Sequence, residues 1–254
     1  MFTKAIVRIP GKSLIHGLSD SKSLGLPNYD EAITQHKLYI EALKLCGLEV
    51  TVLEPCEEYP DSTFIEDVAL ITPHCAIITR PGAPTRRAEI TKIDSVLRNE
   101  FLNVEVIEAP GTIEAGDVMM VGSHFYIGLS DRTNRSGAEQ TIGILKKYGM
   151  TGSTVTLNEV LHLKTGLSYL ENNKLVICGE FINDPIFKDY DFIEIPKEES
   201  YAANCIWVNE RVIIPSGYPI SNERISGSGF NVIEVDVSEF KKLDGGLSCL
   251  SLRY

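Results

Sequence analysis

The sequence contains no long hydrophobic run. No stretch approaches the roughly 18 consecutive apolar residues that a membrane-spanning helix needs. Residues 1–7 indicate a short strand and lack the apolar core and cleavage site of a signal peptide. With 43% hydrophobic and 23% charged residues, the chain can nevertheless bury a sizeable core. We therefore expect a soluble, cytoplasmic protein without a membrane partner.

Basic residues are scarce as well. The 24 Lys and Arg are outnumbered by 35 Asp and Glu, which gives a formal net charge of −11. Because nucleic-acid binding depends on basic contacts to phosphate, this balance argues against a nucleic-acid partner. An acidic protein can steer a small cation toward a cleft, although solubility alone explains the charge equally well.

Motifs for nucleotide cofactors and closely spaced metal ligands are absent too. There is no G-x-G-x-x-G after a strand and no Walker A loop, so no nucleotide cofactor is implied. There is also no H-E-x-x-H or C-x-x-C pair, and the six cysteines have no paired spacing typical of a disulfide framework. Zinc is a weaker alternative, since scattered Cys, His and carboxylates are its ligands. We expect free thiols, no cofactor and no metal.

What the sequence does contain is a repeat. Runs with the period-two pattern of strands recur, each followed by a polar turn and further apolar runs. The first runs are 48–55, 104–110, 154–157, 192–196 and 232–235; the second are 68–71, 118–121, 167–170, 205–208 and 249–252; the third are 75–78, 125–127, 174–177 and 211–214. The fifth copy lacks a third run, which the N-terminal strand 5–9 can supply.

Helical patterns separate most copies. Amphipathic spacing predicts helices over 31–46, around 90–97, from a capping box at Ser136, and from Pro219 to about Gly229. Residues 183–190 show no clear helix and predict a turn. The unit is therefore ββαβ, used about five times, and no linker divides the chain. We predict an α/β fold, a five-bladed propeller of pseudo-symmetric ββαβ repeats, as a single domain over 1–254.

Chemically distinctive residues stand at the entrances of the second runs. In chain order they are Glu66 with Asp67, Glu114 with Asp117, His162, Asn204, and Ser248 with Cys249. In a ring of repeats, equivalent positions face a common centre. A His, a Cys and carboxylates brought together are typical of catalysis by a thiol nucleophile.

Each of these residues also has a purely structural interpretation. Cys249 alone is more often a core thiol, His162 a strand-edge histidine, and Glu114 an acid in a solvated turn. Asp61, Glu66 and Asp67 are equally compatible with surface charges before a strand. Only their recurrence at equivalent repeat positions favours a functional site, together with the glycine-bearing loop 244–249, which allows backbone to approach a ligand.

Five segments carry a resemblance to a known family. They are 61–67 (DSTFIED), 113–117 (IEAGD), 161–165 (LHLKT), 199–204 (ESYAAN) and 244–249 (DGGLSC). Together they resemble the dimethylarginine dimethylaminohydrolases of the guanidine-modifying (pentein) superfamily, and its bacterial members most closely. The likeness runs from the first strand to the C-terminus and implies the five-fold ββαβ propeller of that superfamily.

The resemblance implies a role for each matching residue. Cys249 is the expected nucleophile, and His162 is the expected acid–base, oriented by Glu114. The residues expected to bind the substrate are Glu66 and Asp67 for the guanidinium, Arg86 and Arg132 for the carboxylate, and Asp61 with the backbone of Leu18 and Leu243 for the α-amino group. Residues 14–30 form a polar loop of the kind that serves as a lid.

The implied reaction is hydrolysis of mono- or asymmetric dimethylarginine to citrulline and the amine, through an S-alkylthiouronium on Cys249. An arginine deiminase or a citrulline-cleaving hydrolase would use the same Cys, His and acids. A non-catalytic propeller that binds another macromolecule is a further alternative, disfavoured because Cys249 and His162 are both present. The preferred guanidine and the oligomeric state stay open, with a homodimer among the options.

Overall fold

The computed structural model describes residues 1–254, apart from the side chain of Lys22. Its strands in this described chain are β1 Lys4–Arg8, β2 Glu49–Leu53, β3 Ala69–Ile71, β4 Ala76–Ile78, β5 Val104–Val106, β6 Val118–Val121, β7 His124–Leu129, β8 Thr151–Thr156, β9 Leu167–Tyr169, β10 Lys174–Ile177, β11 Asp191–Glu194, β12 Ile206–Val208, β13 Arg211–Pro215, β14 Asn231–Val235 and β15 Leu252–Arg253.

The α-helices contain fewer residues in total than the strands. The α-helices are α1 Tyr29–Leu45, α2 Asp94–Glu100, α3 Arg135–Lys147, α4 Leu163–Gly166, α5 Pro219–Gly227 and α6 Ser238–Lys241. Turns of 3-10 helix cover Lys12–His16, Lys22–Leu24, Ile65–Val68, Pro84–Lys92, Ala115–Asp117, Gly179–Phe181, Pro185–Phe187, Lys197–Ala203 and Ser248–Leu250. None of the helices in the described chain is long and apolar enough to span a bilayer.

The strands form three-stranded sheets that share one topology. In each sheet the middle strand pairs antiparallel with the strand before it and parallel with the strand after it. The orders are β3-β4-β5, β6-β7-β8, β9-β10-β11, β12-β13-β14 and β15-β1-β2. In the last sheet Ala5 pairs with both Arg253 and Val50, so the N-terminal strand completes the fifth copy as predicted. The two parallel strands of each sheet must be joined by a crossover connection, which contains an α-helix in four of these sheets.

The chain divides into two compact units. One unit contains Met1–Ile65 and Gly166–Tyr254, with three of the sheets, and the other contains Glu66–Thr165, with two. In each unit the middle strands are the most buried, as in β10 and β13, where consecutive Leu, Val and Ile residues are fully buried. Such continuous apolar runs are typical of strands covered on both faces. The single-domain interpretation of 1–254 stays a prediction.

Most of the predicted helix positions agree with the structure. Helix α1 begins after Asn28, whose side chain accepts from the backbone N–H groups of Asp30 and Glu31, and it is followed by Gly47 at a φ of 88°. Residues 183–190 contain only a short 3-10 turn, as expected. The capping box at Ser136 was the wrong start for α3. The cap is Asn134, whose side chain accepts from Gly137 N–H and starts the helix earlier.

Two glycines on α3 give a matched stability test. A Cβ at Gly137 would lie 2.0 Å from the backbone oxygen of Thr112, whereas nothing lies within 4 Å of one at Gly143. Alanine is favoured over glycine inside a helix by about 1 kcal/mol, and overpacking costs about 1–3 kcal/mol. We expect Gly143→Ala to raise the free energy of unfolding and Gly137→Ala to lower it, as measured by urea denaturation. Equal stabilisation by both changes would contradict this packing of α3.

Candidate active site

In the unit formed by Glu66–Thr165, carboxylates surround His162. Asp67 lies just before β3, Glu114 just before the turn that leads into β6, and His162 just before α4. The Nε2 atom of His162 lies 2.8 Å from Oε2 of Glu114. One ligand atom from each of Asp67, Glu114 and His162 falls within 4.8 Å of the others. The structure therefore brings together three of the residues predicted from the sequence.

Asp117 fixes the backbone next to this cluster. It is fully buried and accepts hydrogen bonds from the hydroxyls of Ser130 at 2.7 Å and Thr133 at 2.6 Å. Its other oxygen accepts from the backbone N–H of Leu163 at 3.0 Å. Because Leu163 follows His162 directly, Asp117 fixes the backbone that carries the imidazole.

The surrounding acids determine the charge of His162. Burial by itself lowers the pKa of an imidazole, but the negative charges of Asp117, Glu114 and Asp67 and the hydrogen bond to Glu114 outweigh it. Together they raise the pKa of His162 to about 9 from the ordinary value of 6.5. At neutral pH the side chain is therefore an imidazolium, able to donate a proton.

Glu114 is correspondingly held as an anion. Burial disfavours its charged form, but the hydrogen bond and charge of His162, the charge of Arg86 and the backbone N–H of Ala83 lower the pKa of Glu114 to about 2. The Ala83 N–H donates to Oε1 at 3.1 Å, and the imidazole occupies Oε2. Both oxygens of Glu114 are thus directed by the protein.

Arg86 lies in a buried ion-pair network. Its Nη1 donates to Oδ2 of Asp67 at 2.6 Å, and its Nε and Nη2 form a fork on Glu89, with Nη2 at 2.9 Å. Burial opposes the charged form, but Glu89 and Asp67 raise the pKa of Arg86 well above its ordinary value. Asp67 also accepts from Gly116 N–H at 3.2 Å. These contacts of the Arg86 guanidinium are with protein carboxylates.

Glu66 also has an internal counter-ion. The Nζ atom of Lys164 lies 2.6 Å from its Oε1, and both side chains are largely buried. Lys164 follows His162 by two residues, so the segment that carries the imidazole also carries this cation. Both carboxylates predicted to bind a guanidinium are therefore paired with a basic side chain.

Arg132 differs from Arg86. It lies in a turn whose Ser130 hydroxyl accepts from its backbone N–H at 3.0 Å. The turn packs against Gly82, where an added Cβ would lie only 2.3 Å from the Arg132 backbone oxygen. Within the described chain no carboxylate forms an ion pair with the half-buried Arg132 guanidinium. Its charge is accordingly open to an anionic ligand.

The other unit contains Cys249 on a tightly packed loop. Cys249 is buried in the 3-10 turn Ser248–Leu250, and its Sγ lies 3.4 Å from the backbone N–H nitrogen of Gly246. A Cβ at Gly245 would lie 2.1 Å from the ring of Phe64, and one at Gly246 would lie 2.6 Å from the Asn204 side chain. The two glycines thus make room for the side chains of Phe64 and Asn204. From the sequence, the loop was expected to make room for a ligand, and these internal contacts were not predicted.

Three further predicted residues meet in this unit. Asp61 accepts from the backbone N–H of Leu18 at 2.9 Å. A Cβ at Gly17 would lie 2.9 Å from Oδ1 of Asp61 and 3.1 Å from Cδ1 of Leu243. The predicted lid 14–30 is tied at Ser19 to the Lys242 carbonyl by a 2.7 Å hydrogen bond, while Leu26 is exposed. The side chain of Lys22, within this lid, lies outside the described residues.

The arrangement of Asp67, Glu114 and His162 also fits the ligand set of a metal ion. Their carboxylate oxygens, however, already have hydrogen-bond partners within the protein. Asp67 binds Arg86, and Glu114 binds His162 and the Ala83 backbone. Paired carboxylates beside an imidazolium suit an organic cation that undergoes proton transfer. Repeated ββαβ units with acids, His and Cys at equivalent entrances define the class: a hydrolase of the pentein type.

Comparison with known proteins identifies the family. The model of the family described as N,N dimethylarginine dimethylhydrolase, eukaryotic, matches residues 24–251. The N(G),N(G)-dimethylarginine dimethylaminohydrolase of Pseudomonas aeruginosa is 57% identical over 255 residues, covering 100% of both chains. The chain belongs to the dimethylarginine dimethylaminohydrolase family, and its predicted likeness to bacterial members is confirmed.

Solved structures agree with this assignment. The Pseudomonas aeruginosa enzyme, as a C249S mutant complexed with citrulline, matches with a TM-score of 0.99 at 57% identity over 100% of both chains. A dimethylarginine dimethylaminohydrolase H162G adduct with S-methyl-L-thiocitrulline matches with a TM-score of 0.98, at 57% identity and the same coverage. These matches confirm the predicted fold class, the α/β propeller of five ββαβ repeats.

Proposed function

We propose that this chain hydrolyses mono- or asymmetric dimethylarginine to citrulline and methylamine or dimethylamine. The observation that carries the proposal is the 2.8 Å contact of His162 with Glu114 among buried carboxylates, an arrangement that raises the pKa of the imidazole. A site that expels an amine from a guanidinium needs an acid at neutral pH and anions that bind a cation. Membership of the family, and a 57% identical relative that carries this activity in its name, support the same substrate class.

The first half of the proposed reaction uses Cys249 and His162. A guanidinium stays protonated at cellular pH because its pKa is about 12.5–13.8, so Glu66, Asp67 and Glu114 are suitable partners. The bound cation favours the thiolate of Cys249, whose sulfur attacks the guanidinium carbon and forms a C–S bond. Expulsion of dimethylamine as an anion is prohibitive, so His162 donates its proton to that nitrogen as the C–N bond breaks.

The second half reverses the role of His162. The intermediate is an S-alkylthiouronium on Cys249, and His162 is now neutral. It accepts a proton from water, whose oxygen attacks the same carbon. The C–S bond then breaks, the sulfur leaves as the thiolate, the remaining O–H proton of the added water passes to solvent, and citrulline is released. No cofactor enters either step.

The comparisons support these roles for Cys249 and His162. The relatives solved with citrulline and as an S-methyl-L-thiocitrulline adduct carry C249S and H162G substitutions, at numbers where this chain has Cys249 and His162. Those relatives align over the whole chain. We extend the same assignment to Glu114, which orients the imidazole through its 2.8 Å contact.

The charge pairs favour a methylated substrate. Lys164 already forms an ion pair with one oxygen of Glu66, and Arg86 forms one with one oxygen of Asp67. The carboxylates therefore do not require a hydrogen bond from every guanidinium nitrogen, and one nitrogen can carry methyl groups and face His162. At the other end we propose that Arg86 and Arg132 bind the substrate carboxylate. Asp61 and the backbone of Leu18 and Leu243 receive the amino group, beneath the lid 14–30.

We also propose a cytoplasmic location and a guanidino amino acid as the ligand. The location is supported by the cysteines, since none in the described chain forms a disulfide. The homodimer considered from the sequence stays a prediction.

Substrate preference tests the proposal. Methyl groups in an apolar pocket contribute only about 1–3 kcal/mol. We therefore expect kcat/KM for mono- or asymmetric dimethylarginine to exceed that for arginine by at least about tenfold, or about 1.4 kcal/mol. Assays of citrulline, ornithine and amine products over arginine, both methylarginines, agmatine and citrulline measure this, with inactive Cys249→Ser as control. If arginine is used as well as the methylarginines, the protein is a deiminase. If ornithine forms from citrulline, it is the citrulline-cleaving hydrolase. If no substrate turns over, it is a binding protein.

Arg132 tests how the carboxylate is bound. If its contact is equally strong in the ground and transition states, Arg132→Ala raises KM by at least about tenfold and leaves kcat within about threefold. Agmatine, which lacks the carboxylate, is a poor substrate of the wild type, and its kinetics do not change in the variant. Arg98→Ala, which removes a surface ion pair with Asp94, serves as the matched control. Efficient agmatine turnover by the wild type would overturn the assignment.

A further inference from the structure

The loop that carries Cys249 is held by side chains from distant parts of its own unit. The hydroxyl of Tyr201 donates to the carbonyl of Gly245 at 2.7 Å. The hydroxyl of Tyr39 donates to the carbonyl of Leu247 at 2.9 Å. These two contacts fix the loop backbone, but neither reaches the sulfur.

Asn204 makes a different, reciprocal contact with the residue next to the sulfur. The backbone N–H of Ser248 donates to Oδ1 of Asn204 at 3.0 Å, and Nδ2 of Asn204 lies 3.1 Å from Oγ of Ser248. A backbone N–H can only donate, which fixes which side of the amide carries the oxygen. Nδ2 therefore donates to the Ser248 hydroxyl, and both side chains are buried.

This geometry excludes one direction for the Ser248 hydrogen. Since the Ser248 oxygen accepts from Asn204, its own hydrogen is directed away from Asn204. The Sγ of Cys249 lies 4.0 Å from that oxygen and 3.4 Å from the nitrogen of Gly246. Asn204 also packs on Gly246, whose Cβ would come within 2.6 Å of it. One amide thus contacts both Ser248 and Gly246, whose polar groups lie beside the sulfur.

We propose that Asn204 is a positioning residue, which acts through Ser248 and Gly246 to direct two hydrogen-bond donors at the Cys249 sulfur. This inference rests on the proposed function in naming Cys249 the nucleophile. Donors that face a thiolate favour it over the thiol and fix the direction of attack. Among the groups of this unit near the sulfur, Tyr201 also titrates, but burial and the charge of Cys249 raise its pKa well above the ordinary value, so it stays neutral.

Alkylation of Cys249 by iodoacetamide, followed by peptide mass spectrometry across pH, tests the proposal without using turnover. Asn204→Asp keeps the size but replaces the donor with an acceptor, which draws the Ser248 hydrogen away from the sulfur. We expect the midpoint of the alkylation profile to move up by about one pH unit or more. On methylarginine, we expect kcat to fall by at least about tenfold while KM changes by less than about threefold.

Ser248 variants show whether Asn204 acts through the hydroxyl. Ser248→Ala shifts the profile in the same direction, and Ser248→Thr, which keeps the hydroxyl, restores it. In the double variant the Asn204→Asp shift shrinks, as coupling through a shared group requires. Ser168→Ala serves as the control, because Ser168 is buried and contacts the carbonyls of Ala203 and Cys205.

An unchanged profile in Asn204→Asp, or full additivity with Ser248→Ala, would overturn the inference. If Asn204→Asp does not fold, the comparison of Ser248→Ala with Ser248→Thr still decides: identical profiles contradict the role of the hydroxyl. A wild type that fails to hydrolyse methylarginine, yet shows these alkylation shifts, would refute the proposed function and leave the inference standing.

Discussion

The arrangement described here depends on keeping carboxylates and an imidazole buried together. Asp67, Glu114 and Asp117 are each at most 3% exposed. Burying an uncompensated charge costs several kcal/mol, so each acid needs a counter-charge or donors. His162 supplies the counter-charge for Glu114, Arg86 for Asp67, and the Ser130 and Thr133 hydroxyls satisfy Asp117. The same requirement makes His162 a cation.

Each unit has its own kind of preorganisation. Around His162, fixed acids select the protonation state, so that the acid is ready before a substrate arrives. Around Cys249, the N–H of Gly246 lies 3.4 Å from the sulfur and the Ser248 hydroxyl 4.0 Å from it, and we propose that both donate to the thiolate. The proposed reaction needs an acid for the leaving amine and a thiolate nucleophile, which we assign to His162 and Cys249. Electrostatic preorganisation of this kind usually provides a large share of rate enhancement.

The repeat was predictable because the alternation of apolar and polar residues in a strand is a local signal. The role of β1 in the fifth copy followed because that copy has only two of its three apolar runs near the C-terminus. The entrance positions of Glu66, Glu114, His162 and Cys249 came from the same pattern, but their roles came from the family resemblance. Lys164 pairing with Glu66 was not predictable, since only tertiary structure joins residues so far apart. Glu89 had a visible signal, its spacing of three from Arg86. The start of α3 was missed because Asn134 competes with Ser136 as the cap.

The protonation state of His162 is the central property of this site. Nitrogen-15 NMR of the imidazole from neutral to alkaline pH measures it directly, with His162→Gln to assign the signal. We expect an imidazolium at neutral pH that titrates at about 9. Because the hydrogen bond and charge of Glu114 raise this pKa, Glu114→Gln lowers it toward the ordinary value. A wild-type His162 that titrates near 6.5 would contradict the conclusion that the buried carboxylates hold it as a cation.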